Sequence, residues 1–412
     1  MDLIFRNVRI DDAQPLVDVA VQAGKIADIA QHIATTAAHE IQGDGKVLVA
    51  GFVEGHLHLE KANVMHRKAN RSGTLKEAIA VTAELKPTLT REDIRERSIQ
   101  VLRALVQAGT TYVRAHAEFD PAQGFTGLEV VLELREEFRE VIDIQVVAFP
   151  QEGILKLPGM QAMMAQAMEM GADVVGGIPH FENTRDQGVS SVKFLMELAE
   201  RTGCLVDVHC DETDDPQSRF LEVLAEEARV RGMGARVTAS HTTAMGSYDN
   251  AYCSKLFRLL KMSGINFVSC PTESIHLQGR FDTYPKRRGL TRVAEIDRAG
   301  MNVCFGQDSI VDPWYPLGNG NILRILEAGL HICHMLGYED LQRCLDLITD
   351  NSARTLNLGE RYGIEVGRPA NLLLLSAPDD YEMVRSQGHA LVSVRHGKVL
   401  MRRTPAQVER FS

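Results

Sequence analysis

Strand-like and helix-like segments alternate along most of this 412-residue chain, and no other feature restricts its fold as strongly. Short apolar runs are separated by amphipathic stretches such as residues 218–231 and 251–262, and several stretches end in glycine, the usual helix C-cap. About eight strands are predicted, at residues 47–53, 111–114, 143–149, 172–175, 204–208, 236–239, 265–269 and 301–305. Eight β/α units over roughly 300 residues indicate a (β/α)8 barrel, whose active site lies at the carboxyl ends of the strands.

The two ends of the chain have a different pattern. Residues 2–50 and the segment near the C-terminus consist of short β-rich pieces separated by turn residues, for example Gly43-Asp44-Gly45. We therefore predict an α/β protein of two domains. A catalytic (β/α)8 TIM barrel spans residues 51–361, and a small β-sandwich domain is formed from residues 1–50 and 362–412.

Composition and charge exclude several classes of partner. The formal net charge of −10 argues against binding to a nucleic-acid backbone, which needs a basic surface. The sequence contains no run of about 18 apolar residues, so we predict no membrane span. The first residues lack a basic region followed by a long apolar core, and the seven cysteines are scattered without a Cys-x-x-Cys pair. We therefore expect a cytoplasmic protein with unpaired, mostly buried cysteines.

The first predicted strand ends in His56-Leu57-His58, and two imidazoles at positions i and i+2 of a strand lie on the same face. Alone, this spacing more often marks two ordinary histidines than a metal pair. Later predicted strands, however, also end in groups that bind metals or carry protons: His209, Glu212, His241 and Asp308. His56, His58, His209 and Asp308 together predict a site for one divalent transition metal, which would acidify a bound water. Histidine and aspartate ligands suit iron, zinc and manganese alike.

Two further groups would complete a hydrolytic site. Glu212 lies three residues after His209, where a carboxylate can carry protons between water and substrate, and His241 can orient the water. Taken singly, a glutamate in such a loop is usually solvated and a histidine at a strand end is usually structural. Their occurrence together, at the ends of predicted strands one, five, six and eight, predicts a functional site.

Longer segments, at residues 148–154, 206–212, 236–245, 275–289 and 312–318, resemble the metal-dependent amidohydrolase superfamily and, within it, the bacterial cytosine deaminases. The likeness covers nearly the whole chain and implies a barrel of the amidohydrolase type. It also implies a homo-oligomer with one iron or zinc ion per subunit. In that pattern His56, His58, His209 and Asp308 match the metal ligands, Glu212 matches the proton shuttle, and His241 matches the group beside the hydrolytic water.

The resemblance further implies a pocket for a free pyrimidine base. Gln151 matches the residue whose side-chain amide binds the carbonyl and ring nitrogen, a role that suits a group that both donates and accepts. The backbone around Leu75, and Trp314, would line the pocket. In the implied hydrolytic deamination, Asp308 accepts the proton of the attacking water, while Glu212 protonates the ring nitrogen and helps ammonia leave.

One position departs from the family pattern. Cytosine deaminases have His-Asp-Asp where this chain has Gln307-Asp308-Ser309, so a carboxylate wall of the pocket becomes a serine. Serine is shorter and uncharged and should leave room for a methyl group at ring position 5. Burying that methyl group would add on the order of 1 kcal/mol to the binding free energy. We therefore predict conversion of 5-methylcytosine to thymine, with cytosine and 5-fluorocytosine also accepted. The competing hypothesis is neutral exchange, which leaves cytosine as the main substrate.

Two other classes of function stay open. A related amidohydrolase with a differently lined pocket would act on an N-alkylamino triazine or another cyclic amidine. A non-catalytic barrel that only binds a partner is disfavoured, because every expected metal ligand and the proton shuttle are present.

Overall fold

The N-terminal segment forms a small sheet. The structure, a computed structural model, describes residues 1–10, 15–404 and 406. Its first strands are β1 (Leu3–Val8), β2 (Val17–Gln22), β3 (Lys25–Ala30), β4 (His39–Gln42) and β5 (Leu48–Ala50). Four of them pair in the order β3-β2-β1-β4, with β2 antiparallel to both neighbours and β4 parallel to β1.

A parallel barrel follows. Within the described ranges, its eight strands are β6 (Phe52–Leu57), β7 (Thr110–Glu118), β8 (Asp143–Phe149), β9 (Val174–Gly177), β10 (Leu205–Cys210), β11 (Val237–His241), β12 (Asn266–Ser269) and β13 (Val303–Phe305). They are hydrogen-bonded in chain order. The edges β6 and β13 meet at one bridge, where the Asp308 N–H donates to the His56 carbonyl at 2.8 Å and the His58 N–H donates to the Asp308 carbonyl at 3.0 Å. The predicted (β/α)8 architecture is confirmed, and it closes at the predicted metal ligands.

One predicted strand is wrong in its extent. Residues 47–53 were expected to form a single strand, but β5 pairs with the C-terminal sheet whereas β6 pairs with β7. The chain crosses between the two sheets at Gly51, where an added Cβ would lie 1.9 Å from the Thr111 Oγ1 atom. This close approach leaves room only for glycine, and the apolar run is therefore divided.

Amphipathic helices cover the barrel. They are α1 (Leu75–Leu85), α2 (Arg91–Ala108), α3 (Thr126–Phe138), α4 (Met160–Glu169), α5 (Arg185–Thr202), α6 (Phe220–Val230), α7 (Asn250–Ser263), α8 (Pro271–Leu277), α9 (Val293–Arg298), α10 (Ile322–Cys333), α11 (Tyr338–Leu341), α12 (Asp350–Thr355) and α13 (Asp380–Arg385). Short 3-10 turns lie at Lys86–Thr88, Pro179–Phe181, Gly234–Arg236, Thr243–Ser247, Cys344–Ile348 and Gly359–Arg361.

The helix ends follow the sequence signals. Thr90 caps α2, because its side chain accepts a hydrogen bond from the Asp93 N–H, and Gly109 ends the helix at a φ of +102°. Gly264 ends α7 in the same left-handed conformation. In the part of the chain that the structure describes, no helix combines the length and apolar character needed to cross a bilayer.

The C-terminal strands return to the start of the chain. They are β14 (Leu372–Leu375), β15 (Ala390–Arg395) and β16 (Lys398–Arg402), and with β5 they form an antiparallel sheet in the order β16-β15-β14-β5. Leu372 and Val394 share one hydrophobic core with Leu3, Phe5 and Val19 of the N-terminal sheet. Burial of each such side chain stabilises the folded state by about 1.5 to 3 kcal/mol compared with leaving it exposed to water.

Both ends of the chain thus contribute to the same packed unit. The boundaries proposed for this domain, residues 1–50 and 362–412, stay a prediction. Within them, residues 11–14, 405 and 407–412 lie outside the described residues.

Candidate functional site

A cluster of histidines and one aspartate lies at the carboxyl end of the barrel. His58 Nε2 is 3.3 Å from His209 Nε2, and Asp308 Oδ1 is 3.6 Å from His56 Nε2 and 3.5 Å from His58 Nε2. His241 Nδ1 lies 3.7 Å from Asp308 Oδ2. The strands β6, β10, β11 and β13 therefore bring together side chains that are up to 252 positions apart in the sequence.

The strand ends that present these groups have unusual backbone angles. His241 and Asp308 have φ values of +66° and +68°, in the left-handed region that residues other than glycine seldom adopt. Such conformations cost on the order of 1 kcal/mol each and persist where the surrounding structure enforces them, as at functional sites.

The donor atoms of this cluster suit a divalent metal. His56 Nε2 and both ring nitrogens of His241 are buried and have no hydrogen-bond partner among the described residues, and the Nε2 atoms of His58 and His209 have only each other. Burial lowers the pKa of all four imidazoles well below 6.5, so each is neutral and offers a lone pair. Neutral imidazoles with one carboxylate are the ligands that divalent transition metals prefer, and the residues present therefore fit such an ion.

A chain of buried polar groups orients the ring of His56. Ser240 Oγ lies 3.1 Å from His56 Nδ1 and donates its proton to Asp207 Oδ1 at 2.6 Å. Arg114, fully buried, donates to Asp207 Oδ2 at 2.8 Å. Because the Ser240 proton is used on Asp207, the hydroxyl accepts from the His56 Nδ1–H, and the lone pair of Nε2 faces the cluster.

Two carboxyl groups, one in the cluster and one beside it, have altered proton affinity. Glu212 Oε1 lies 3.8 Å from His241 Nδ1. Burial, followed by the charge of Asp308, raises the pKa of Glu212 well above 4.5. Burial also raises the pKa of Asp308 to about 7, although the Lys61 ammonium opposes the shift. A carboxyl group whose pKa is raised holds its proton more firmly and can act as the acid in general acid–base chemistry.

A cavity opens next to these carboxyl groups. Gln151, Glu212, Leu75 and Trp314 line it, which brings together three of the four predicted substrate-binding residues and the predicted shuttle. Ser309, the fourth, is not among the lining residues of this cavity. It is fully buried, and its N–H and hydroxyl donate to the Glu273 carboxyl at 3.2 and 3.0 Å.

Sequence reasoning missed three residues at this site. Lys61 donates to Gln151 Oε1 at 2.8 Å, Glu273 accepts from Ser309, and the His116 ring stacks on His56 with 3.8 Å between centroids. Lys61 and Glu273 each follow a barrel strand within a few residues, the same signal that identified Glu212. His116 lies within β7, where a histidine carries no such signal.

Comparisons with known proteins agree with this architecture. The amidohydrolase family model matches residues 64–401. A crystal structure of a 5-methylcytosine deaminase from Klebsiella pneumoniae, liganded with 5-fluorocytosine, is 60% identical, with a TM-score of 0.96 and 99% of each chain covered.

Two curated relatives are more distant. An N-isopropylammelide isopropyl amidohydrolase from Pseudomonas sp. (strain ADP) is 28% identical over 407 residues, which is 97% of either chain. A pterin deaminase from Rhizobium rhizogenes is 28% identical over 395 residues, or 94% of this chain and 88% of that protein. Because the family model spans well over half of the sequence and these relatives span nearly all of it, the chain belongs to the amidohydrolase family.

Proposed function

We propose that this protein is a metal-dependent hydrolase that deaminates free cytosine-type bases, chiefly 5-methylcytosine to thymine and ammonia. Cytosine and 5-fluorocytosine are further substrates. The observation that carries the proposal is the meeting of Glu212, His241 and Asp308 beside a cavity lined by Gln151. The 60% identity to the Klebsiella pneumoniae deaminase, over 99% of each chain, supports the choice of substrate class.

The proposed division of labour follows from the geometry. His56, His58, His209 and Asp308 would hold one divalent metal, which supplies an acidified water as the nucleophile. Asp308 accepts the proton of that water, and His241, whose Nδ1 is 3.7 Å from Asp308 Oδ2, orients it. Glu212, whose raised pKa favours the protonated form, donates to the ring nitrogen and then assists the departure of ammonia.

The cavity suits a flat heterocycle. Gln151 offers an amide that donates and accepts in one plane, which matches a ring carbonyl and its neighbouring nitrogen. Trp314 and Leu75 offer apolar surface to the ring faces.

Preference for a 5-methyl group is assigned to Ser309. Ser309 directly follows the proposed metal ligand Asp308 in the sequence, and its hydroxyl already donates to Glu273 at 3.0 Å. It therefore adds neither a charge nor an unpaired polar group beside a methyl substituent.

The test compares kcat/KM for 5-methylcytosine and cytosine in the wild type, Ser309→Asp and Ser309→Ala, with the metal content of each preparation measured. We expect Ser309→Asp to shift the ratio toward cytosine by about 10- to 200-fold, the usual effect of one misfitted methyl group. Ser309→Ala, which keeps the space, should retain the wild-type preference. An unchanged ratio in Ser309→Asp would show that the size of residue 309 does not set the preference for a 5-methyl group.

A second candidate function rests on the 28% identity to the N-isopropylammelide amidohydrolase over 97% of the chain. A hydrolase for N-alkylamino triazines would release an alkylamine, whereas the proposed deaminase releases ammonia. A substrate panel with separate detection of the two products distinguishes these activities. If the purified protein binds no metal, the hypothesis of a non-catalytic barrel is favoured instead.

Finer features are proposed on the resemblance and on composition alone. They are iron, zinc or manganese as the native ion, one per subunit, a homo-oligomeric assembly without a nucleic-acid partner, and a cytoplasmic location. Elemental analysis of protein purified without added metal tests the identity and number of the ions, and light scattering tests the homo-oligomeric assembly.

A further inference from the structure

Lys61 is a buried cation that contacts two lining residues of the cavity, Gln151 and Trp314, and it forms no ion pair with a carboxylate among the described residues. Only 6% of its surface is exposed, yet among the described residues no carboxylate oxygen lies within 4.0 Å of its Nζ. Its hydrogen bond goes to a neutral group, Gln151 Oε1, at 2.8 Å. A buried ammonium is costly unless opposite charges and hydrogen-bond acceptors compensate it, and here only one of its three protons has an acceptor among the described residues.

The same ammonium contacts the aromatic wall of the cavity. Its Nζ lies 4.5 Å from the ring centroid of Trp314 and 5.9 Å from that of Phe149. A cation over the face of an indole is attracted to it, which keeps Nζ at one place between Trp314 and Gln151. Lys61 thus contacts two of the residues proposed to bind the base.

The hydrogen bond from Lys61 fixes which way the Gln151 amide points. Because Oε1 accepts from Nζ, the Nε2 group is directed away from Lys61, and it donates to none of the described residues. An ammonium has three protons, and Gln151 takes one of them. Gln151, which lines the cavity, therefore turns its Nε2 donor away from Lys61 and requires an acceptor on the ligand, while Lys61 beside it keeps two unused protons.

We infer that Lys61 is a positioning residue that selects rings with a carbonyl oxygen between the two ring nitrogens. This inference rests on the proposed function, since it specifies how a cytosine-type base is recognised by Gln151. A ring with an amino group in that place would bring donors against donors and is rejected. A site built around a hydrogen bond discriminates strongly against a ligand that cannot form it.

The experiment measures kcat and KM for cytosine and for 2,4-diaminopyrimidine, in which an amino group replaces the carbonyl. The variants are Lys61→Met, which removes the donors at similar length, and Lys61→Arg, which keeps the charge. Lys76→Met, on the exposed face of α1, is the matched control for loss of one lysine. Metal content and melting temperature show that each variant is folded and loaded.

We expect Lys61→Met to lower the preference for cytosine over 2,4-diaminopyrimidine by on the order of 10- to 100-fold, as for loss of a hydrogen bond from a charged donor. The effect should fall mainly on KM for cytosine, with partial rescue by Lys61→Arg and no change in Lys76→Met. An equal loss of kcat on both substrates, with the preference intact, would show that Lys61 only balances the charges of Glu212 and Asp308. A wild type that deaminates neither cytosine nor 5-methylcytosine refutes the proposed function itself, and the inference with it.

Discussion

Removing the hydroxyl of Ser240 should weaken metal binding although Ser240 is not a ligand. In Ser240→Ala, His56 Nδ1 loses the oxygen 3.1 Å away, and Asp207 loses its 2.6 Å hydrogen bond. The ring of His56 is then free to turn or to change tautomer, so Nε2 no longer faces the cluster in every molecule. Loss of such a supporting contact typically lowers metal affinity by about 10- to 100-fold, or about 1.4 to 2.7 kcal/mol.

The measurement is competition for the metal between the protein and a chromophoric chelator at fixed pH. Ser269→Ala is the matched control, because Ser269 on β12 is equally buried and its hydroxyl has no hydrogen-bond partner among the described residues. The control should bind metal as the wild type does. Wild-type affinity in Ser240→Ala, or an equal loss in Ser269→Ala, would refute the proposed role of Ser240 in orienting His56.

Three further predictions test the site and the fold. Glu212→Gln should lower kcat by about 10²- to 10⁴-fold while the metal content stays unchanged, because only the proton carrier is removed; an accompanying loss of metal would contradict this. Burial raises the pKa of Asp346 from 3.8 to about 6, so the folded state binds this proton more tightly and stability falls as pH rises between these values. Asp346→Asn should therefore flatten the dependence of melting temperature on pH from about 4 to about 6, and a curve parallel to that of the wild type would argue against it. Gly234→Ala should lower the melting temperature more than Gly203→Ala, because the new Cβ at 234 would lie 1.8 Å from the Ser263 carbonyl oxygen, whereas position 203 has open space and only the cost of its left-handed φ of +73°. Similar losses would show that the neighbouring backbone shifts to relieve the clash.

The order of strands and the ends of helices were predictable because local chemistry determines them. The Thr90 cap and the glycines at 109 and 264 act through their own backbone conformations, which the sequence specifies directly. Once the barrel topology is recognised, groups that follow strands are expected at one mouth, which is how the metal cluster was predicted.

Pairings across the barrel were not predictable in the same way. Lys61 and Gln151 are 90 residues apart, and Ser309 and Glu273 are 36 apart, so each contact depends on the packing of two separate strand ends. The division of residues 47–53 between two sheets was not predictable either, since an apolar run has the same pattern whichever sheet it joins.

The closing bridge between β6 and β13 ties the integrity of the barrel to its ion. The first and last strands meet through the backbone of Asp308 and through Glu54, whose carboxylate accepts from the Gln307 N–H at 2.9 Å across 253 residues of chain. An ion held by His56, His58 and Asp308 would cross-link the two strands and close a very long loop. The entropy cost of closing a loop rises with its length, so this cross-link would offset a large cost. Because the ion would bind only the closed form, the free energy that favours the paired β6 and β13 would rise with the concentration of the ion. Metal-depleted protein should therefore exchange its backbone amide protons first along β6 and β13, long before the rest of the barrel loosens.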